Sequence, residues 1–347
     1  SMAGAAARGV AGPSAFYVSR AGALALMGGK AMDSLVVGTA GATFTNDLRP
    51  TETPVDVRNV VGILRGSDPA LRNSFVAIGA HNDHVGIAPR AVDHDSLKAY
   101  NDALWALRAK GEKPFSASMR EQVKVDVGAL RTRGPARADS VYNGADDDGS
   151  GSMGVLEIAE AFAKAPRTPK RSLLFVWHAG EERGLLGALH FTDQPTVARD
   201  SIVAQLNIDM IGRGRAEDQP LGGPTYVGLV GSRRLSTELG DLIETINGER
   251  TQKMVLDYAL DANGHPENIY CRSDHFAYAR YGIPVAFFYT GAHADYHQLT
   301  DEPQYIDYPH YATITQFIHD IASRVANLDH RPVVDKPKPD PKGRCQQ

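Results

Sequence analysis

No apolar run in the 347 residues approaches the roughly 20 needed to cross a bilayer as a helix, so no such span is read within this sequence. Basic charge is not in excess either: 37 Lys and Arg stand against 41 Asp and Glu, a net charge of −4. A phosphate-binding surface normally needs a basic surplus or stripe, so nucleic acid is not an expected partner. Cysteine is scarce. Cys271 and Cys345 are too few for a disulfide framework; they could pair, but nothing in their spacing demands it, and two unpaired thiols are expected. The opening "SMAGAAARGV" lacks the basic and apolar segments of a signal peptide, and Ser before Met points to a start that is not the natural one. No internal repeat is visible.

What remains is an ordinary globular composition, 42% apolar and 22% charged, with enough apolar residues for a sizeable core. Apolar runs of strand length recur: "VDVRNVVGIL", "SFVAIGA", "SLLFVWH", "SIVAQLNI", "TYVGLV" and "PVAFFYT". Their apolarity is continuous rather than alternating, as in strands covered on both faces. Between them lie helical stripes: Val155, Ile158, Ala159 and Phe162; Leu235, Leu239, Leu242 and Ile246; and Ile314, Phe317, Ile318, Ile321 and Val325. The pattern predicts an α/β fold, a mixed, largely parallel central sheet flanked by helices on both faces. The polar stretch 88–141 is long for a connection and reads as an insertion folded onto the surface. The Pro- and charge-rich tail 336–347 is expected to be disordered.

Reactive side chains gather where the apolar runs stop. "GAHNDHVG" offers His81, Asp83 and His84; "GADDDGSG" offers Asp146, Asp147 and Asp148; "HAGEERG" offers Glu181 and Glu182; "NIDMIGRG" offers Asp209; "HADYHQLTDE" offers His293, Asp295, Tyr296, His297 and Asp301. Taken singly, each has an ordinary reading: a capped loop, a calcium loop, a solvated helix start. Together, at the carboxyl ends of successive strands, they define one crevice. Clustered anions raise one another's pKa, and a divalent metal, or better two sharing one carboxylate, relieves the conflict. Imidazole nitrogen with carboxylate oxygen suits zinc, cobalt or manganese.

With "GAHNDH", "GADDDGSG", "AGEERG", "NIDMIG", "SDHFAYARYGIP" and "DYHQLTDE" in this order, the sequence resembles the di-zinc aminopeptidases of the M28 type over about residues 56–328. The resemblance implies a zinc-exopeptidase-like sheet and two Zn2+ ions, with Co2+ or Mn2+ as substitutes. One ion would be held by His81, Asp147 and Asp209, the other by Asp147, Glu182 and His297. Asp147 would bridge them, Asp83 would orient His81 from behind, Glu181 would be the general base, and Tyr296 would donate to the oxyanion. The expected substrate is a peptide with a free N-terminus. Asp148 and Ser150 would cap the following helix, and Asp146 would be solvated. Asp274 and Asp301 stand either behind the ligands or in structural roles. His84, His275 and His293 are expected in structural hydrogen bonds, His178 at a strand end, and Arg213 in a solvated loop.

The resemblance further implies that residues 1–50 are the close of a protease-associated domain and 51–335 the catalytic domain. Secretion or a periplasmic home is expected from the family. Alternatives on the same scaffold are a carboxypeptidase, a single-zinc glutaminyl cyclase and a non-catalytic binding protein; the last two are disfavoured because the ligand set and base are complete. The sequence leaves the oligomeric state open.

Overall fold

A computed structural model describes residues 18–30, 35–43, 45, 54–109 and 117–347. The chain divides into Ser1–Asp56 and Val57–Gln347. In the first unit a short helix, α1 (Arg20–Leu26), starts at Ser19, whose hydroxyl accepts from the Gly22 N–H. The protease-associated reading of residues 1–50 falls largely outside the described residues.

The second unit is built on a seven-stranded sheet. Its strands are β1 (Val60–Leu64), β2 (Phe75–His81), β5 (Ser172–His178), β6 (Ile202–Ile208), β7 (Tyr226–Val230), β8 (Val255–Asp257) and β9 (Val285–Tyr289). They lie in the order β1-β5-β2-β6-β9-β7-β8. The central run β5-β2-β6-β9 is parallel, while β1 against β5 and β7 against β9 are antiparallel. The mixed, largely parallel sheet expected from continuous apolar runs is therefore present. β2 and β6 are buried along nearly their whole length, as strands with both faces covered must be.

One face is covered by α5 (Gly151–Lys164), α7 (Thr237–Glu249) and α9 (Tyr308–Asn327). These present Val155, Ile158, Phe162, Leu239, Ile243, Ile314, Phe317 and Ile321. The other face takes Ala188 and Phe191 of α6 (Leu186–Asp193) and Ala277 and Tyr278 of α8 (His275–Ala279). Each large side chain so buried contributes about 1.5–3 kcal/mol. That rigidity holds the strand ends where the reactive residues emerge.

The stretch 88–141 is closed by a two-stranded antiparallel ribbon, β3 (Ile87–Asp93) with β4 (Ala138–Val141). Between them run α2 (His94–Ala109), α3 (Ala117–Gln122) and α4 (Val127–Arg133). α2 is no loose surface element. Leu104 and Trp105 are buried, and the Asn101 amide donates to Thr300 Oγ1 at 3.1 Å.

Two expectations are corrected. Cys271 and Cys345 form a disulfide despite lying 74 residues apart. The tail over 336–347 is anchored rather than disordered. The Gln347 side chain accepts from the Tyr270 N–H at 3.0 Å and donates to the Ala262 carbonyl at 3.1 Å, and its backbone carbonyl accepts from Gly264 at 2.8 Å. Spacing gave no sign of either, because the partners meet only through the fold. Among the described residues no helix is long and apolar enough to cross a membrane.

Candidate active site

β2 ends on His81, which is buried. Its Nε2 faces Asp147 Oδ1 at 3.1 Å and Asp209 Oδ1 at 3.7 Å. The other oxygen of Asp147 lies 3.0 Å from His297 Nε2, which is 3.1 Å from Glu182 Oε2. One carboxylate thus offers a separate oxygen to each of two donor sets. His297 has a φ of 57° and Met210, directly after Asp209, a φ of 56°. Such left-handed backbone costs a non-glycine residue about 1–2 kcal/mol, and here it sits where ligand placement is demanding.

All three adjacent aspartates are buried, each with its own task. Asp146 is not solvated as expected: Oδ1 accepts from Gly212 N–H at 2.6 Å, and Oδ2 lies 3.1 Å from His293 Nε2. Asp148 accepts from the N–H groups of His81, Gly151 and Met210 at 3.0, 2.9 and 3.2 Å. It ties the start of α5 to the ends of β2 and β6, the cap expected of it. Ser150 does not cap α5; its hydroxyl donates to the Asp146 carbonyl and accepts from Ile211 N–H. A β-carbon on Gly151 would run into the Asp148 carboxylate and the Ile208 carbonyl, so the close approach requires glycine. Asp301 Oδ2 accepts from the N–H groups of Asp146 and Asp147 at 3.0 and 3.1 Å, holding the run from behind.

Asp83 acts mainly on the acidic pair. Its carboxylate accepts from the backbone N–H of Glu181 at 2.9 Å and of Glu182 at 3.3 Å. His81 Nδ1 meets the Asp83 backbone carbonyl at 3.0 Å, closer than the carboxylate at 3.7 Å. Two residues were undervalued or missed. His84 Nδ1 lies 2.8 Å from Glu182 Oε1, inside the second donor set, although it was expected in a structural role. The Ser273 hydroxyl donates to Asp209 Oδ2 at 2.6 Å and accepts from Asn207. The second histidine of "HNDH" was a signal for the first; Ser273 opens the motif "SDHFAYARYGIP", but no role was read for its hydroxyl.

His178, Asp274 and Tyr278 form a buried chain, with His178 Nδ1 3.2 Å from Asp274 and Nε2 3.0 Å from the Tyr278 hydroxyl. His275 stacks on Phe287 with ring centroids 4.6 Å apart. Arg213 is buried and pairs with Asp295, so it is no solvated loop residue.

Carboxylates outnumber imidazoles here, and the charges are in conflict. Burial, with the charges of Asp209, Asp274 and Asp147 added, drives the Glu181 carboxyl well above the usual range. Burial pulls His297 down, but its bonds to Asp147 and Glu182 outweigh that and raise it to about 9. Burial also raises Asp209. Several buried atoms here meet only one another, at short range and without well-directed hydrogen bonds: His81 Nε2 with Asp147, His84 Nδ1 with Glu182 Oε1, and Asp147 Oδ2 with His297. They converge in two groups able to surround a cation, His81–Asp147–Asp209 and His84–Asp147–Glu182. The donor chemistry fits a borderline divalent metal. A third group, His94–Asp139–Glu302, has a carboxylate on each ring nitrogen at 3.1 and 3.0 Å and links the start of α2 to β4 and to the loop after Asp301.

Tyr296 stacks on His297 with centroids 4.0 Å apart, and its hydroxyl accepts from Arg272 Nη2 at 3.1 Å. Burial, and then the charge of Asp147, keeps the phenol protonated and able to donate.

Comparison with known proteins bears on this site. The model of peptidase family M28 matches residues 125–322. Leupeptin-inactivating enzyme 1 of Streptomyces exfoliatus is 32% identical over 162 residues, 44% of this chain and 31% of that protein. A probable leucine aminopeptidase of Arthroderma benhamiae is 34% identical over 151 residues, 42% of this chain and 37% of the relative. The matched stretch therefore spans about a third of the length of these relatives. A zinc aminopeptidase from Bacillus subtilis shares the fold, with a TM-score of 0.50 at 16% identity over 80% of this chain and 53% of that one.

Proposed function

The chain belongs to peptidase family M28, and from that premise we propose that it is a di-zinc aminopeptidase releasing the N-terminal residue of peptides. The observation that carries this reading is Asp147, whose two oxygens address two separate donor sets at 3.1 and 3.0 Å. His81 and Asp209 would hold one ion with Asp147; Glu182 and His297 would hold the other, with His84 beside them. Zinc bound there supplies Lewis acidity, which acidifies water and polarises a carbonyl.

The chain's own residues do the rest. Glu181 belongs to neither donor group, is half-buried, and has a carboxyl raised by desolvation and neighbouring anions. A base so tuned accepts a proton from the attacking water and returns it to the departing amine. Tyr296, kept protonated, donates to the oxygen that becomes negative as the carbonyl is attacked. Arg272 donates to the Tyr296 hydroxyl, which strengthens the phenol as a donor.

We also propose that the protein works in an oxidising compartment, secreted or periplasmic; the Cys271–Cys345 bridge supports this. The test of the main reading pairs zinc stoichiometry with Glu181→Gln. Two zinc ions per chain are expected in both forms, with kcat reduced at least 100-fold in the variant. A single zinc per chain would favour the cyclase chemistry instead, and unchanged turnover in the variant would remove Glu181 as base.

A further inference from the structure

A cavity of about 610 Å³ lies against Tyr296, on the side of the insertion. One wall is a single face of α2: Leu97, Tyr100, Asn101, Leu104, Trp105 and Arg108 fall at i, i+3, i+4, i+7, i+8 and i+11. From Leu97 to Arg108 a helix rises about 16 Å, and an extended peptide covers that distance with roughly five residues. The wall is fixed. Asn101 donates to Thr300, Lys98 Nζ pairs with Asp295 at 3.2 Å, and the Trp105 indole donates to the Glu217 carbonyl at 3.1 Å.

The apolar face ends in positive charge. Arg108 stacks over Trp105, guanidinium 4.4 Å from the ring, and reaches Glu267 at 3.4 Å. Arg120 and Arg272 line the same space, so among the described residues three guanidiniums there face one carboxylate, Glu267. The Arg108–Glu267 pair is about a third exposed on both sides, where such pairs are weak and exchangeable. Arginine's planar fork matches a carboxylate through two parallel hydrogen bonds. Tyr296 belongs both to this cavity and to the catalytic centre, so a ligand here is continuous with a peptide under attack.

We propose that this cavity is a subsite recognising a substrate carboxylate, with Arg108 and Arg120 as its specificity-determining residues. The carboxylate comes either from the C-terminus of a short peptide or from an Asp or Glu side chain. The substrate class is then short or acidic peptides rather than long neutral chains. This rests on the peptidase reading above, deepening it.

The test uses binding, which does not require turnover. Zinc-reconstituted Glu181→Gln protein is titrated calorimetrically with a leucyl tripeptide as free acid and as C-terminal amide. A second pair, both amidated, carries Glu or Gln at one position. The same four ligands are then measured after adding Arg108→Gln and Arg120→Gln, with melting curves to verify folding. At least tenfold tighter binding of the acid over its neutral counterpart is expected in one pair, shrinking to under threefold in the arginine variant. The pair that responds identifies the source of the carboxylate. No preference in either pair, no binding of any ligand, or a preference that survives both substitutions would overturn the proposal. Turnover by the unsubstituted enzyme is assayed separately: its absence alongside an intact preference would refute the peptidase reading and leave the carboxylate site standing.

Discussion

Replacing Asp83 with alanine should cripple the site without touching a donor atom that faces a metal. The Asp83 carboxylate takes the backbone N–H of Glu181 at 2.9 Å and of Glu182 at 3.3 Å, so one side chain positions both the proposed base and a proposed metal ligand. A hydrogen bond to a charged acceptor is worth about 1.5–3 kcal/mol, with the shorter contact at the upper end. The Asp83 side chain is 23% exposed, so water replaces part of what is lost. The net loss is then about 2–3 kcal/mol, or roughly 30- to 150-fold in kcat/KM. The loss should fall on kcat and on zinc affinity rather than on KM, because Asp83 does not line the cavity proposed to take the substrate. Asp83→Asn keeps one acceptor oxygen and should lie between the two. The assay is steady-state kinetics with zinc content measured on the same samples. Activity within threefold of the parent, at unchanged zinc content, would refute the claim that Asp83 holds the acidic pair.

Other consequences are open to measurement. Cys345→Ser removes a bridge closing a 74-residue separation, and the chain-entropy model gives a stability loss of about 4 kcal/mol, read by denaturant unfolding under non-reducing conditions. A loss below 1 kcal/mol would mean that the Gln347 contacts alone hold the tail. His275 is fully buried, and burial drives its pKa down to about 3. The folded state therefore resists a proton that the unfolded chain takes up near pH 6.5. That contribution is complete above pH 6.5 and is lost as the pH falls, by about 1.4 kcal/mol per unit until the folded pKa is passed. His275→Phe should flatten the stability profile between pH 6.5 and 4.5, and an unchanged slope would contradict the assignment. Ser273→Ala removes the 2.6 Å hydrogen bond to Asp209 and should weaken zinc binding 10- to 100-fold, read by competition with a chelator.

The sheet was legible because its strands are apolar throughout: "SLLFVWH" and "SIVAQLNI" stop where β5 and β6 do. The same runs pointed to the crevice, since the abrupt change from apolar to acidic marks where each strand leaves the core. β3 and β4 gave no such signal. Their ribbon is largely exposed, β3 contains Pro89, and neither keeps a two-residue alternation. The burial of Asp146 was hidden because its partners, Gly212 and His293, lie far along the chain. His84 looked dispensable for a related reason: only the fold carries Glu182 to within 2.8 Å of it. The disulfide and anchored tail depend on a meeting between segments that local sequence does not encode.

The central claim is tested most directly by measuring release of the N-terminal residue from one peptide offered in free and N-acetylated form to the zinc-reconstituted protein. Rapid release from the free form alone, abolished by chelator and restored by zinc, is the predicted result. Equal cleavage of both forms, or release of the C-terminal residue instead, would contradict it.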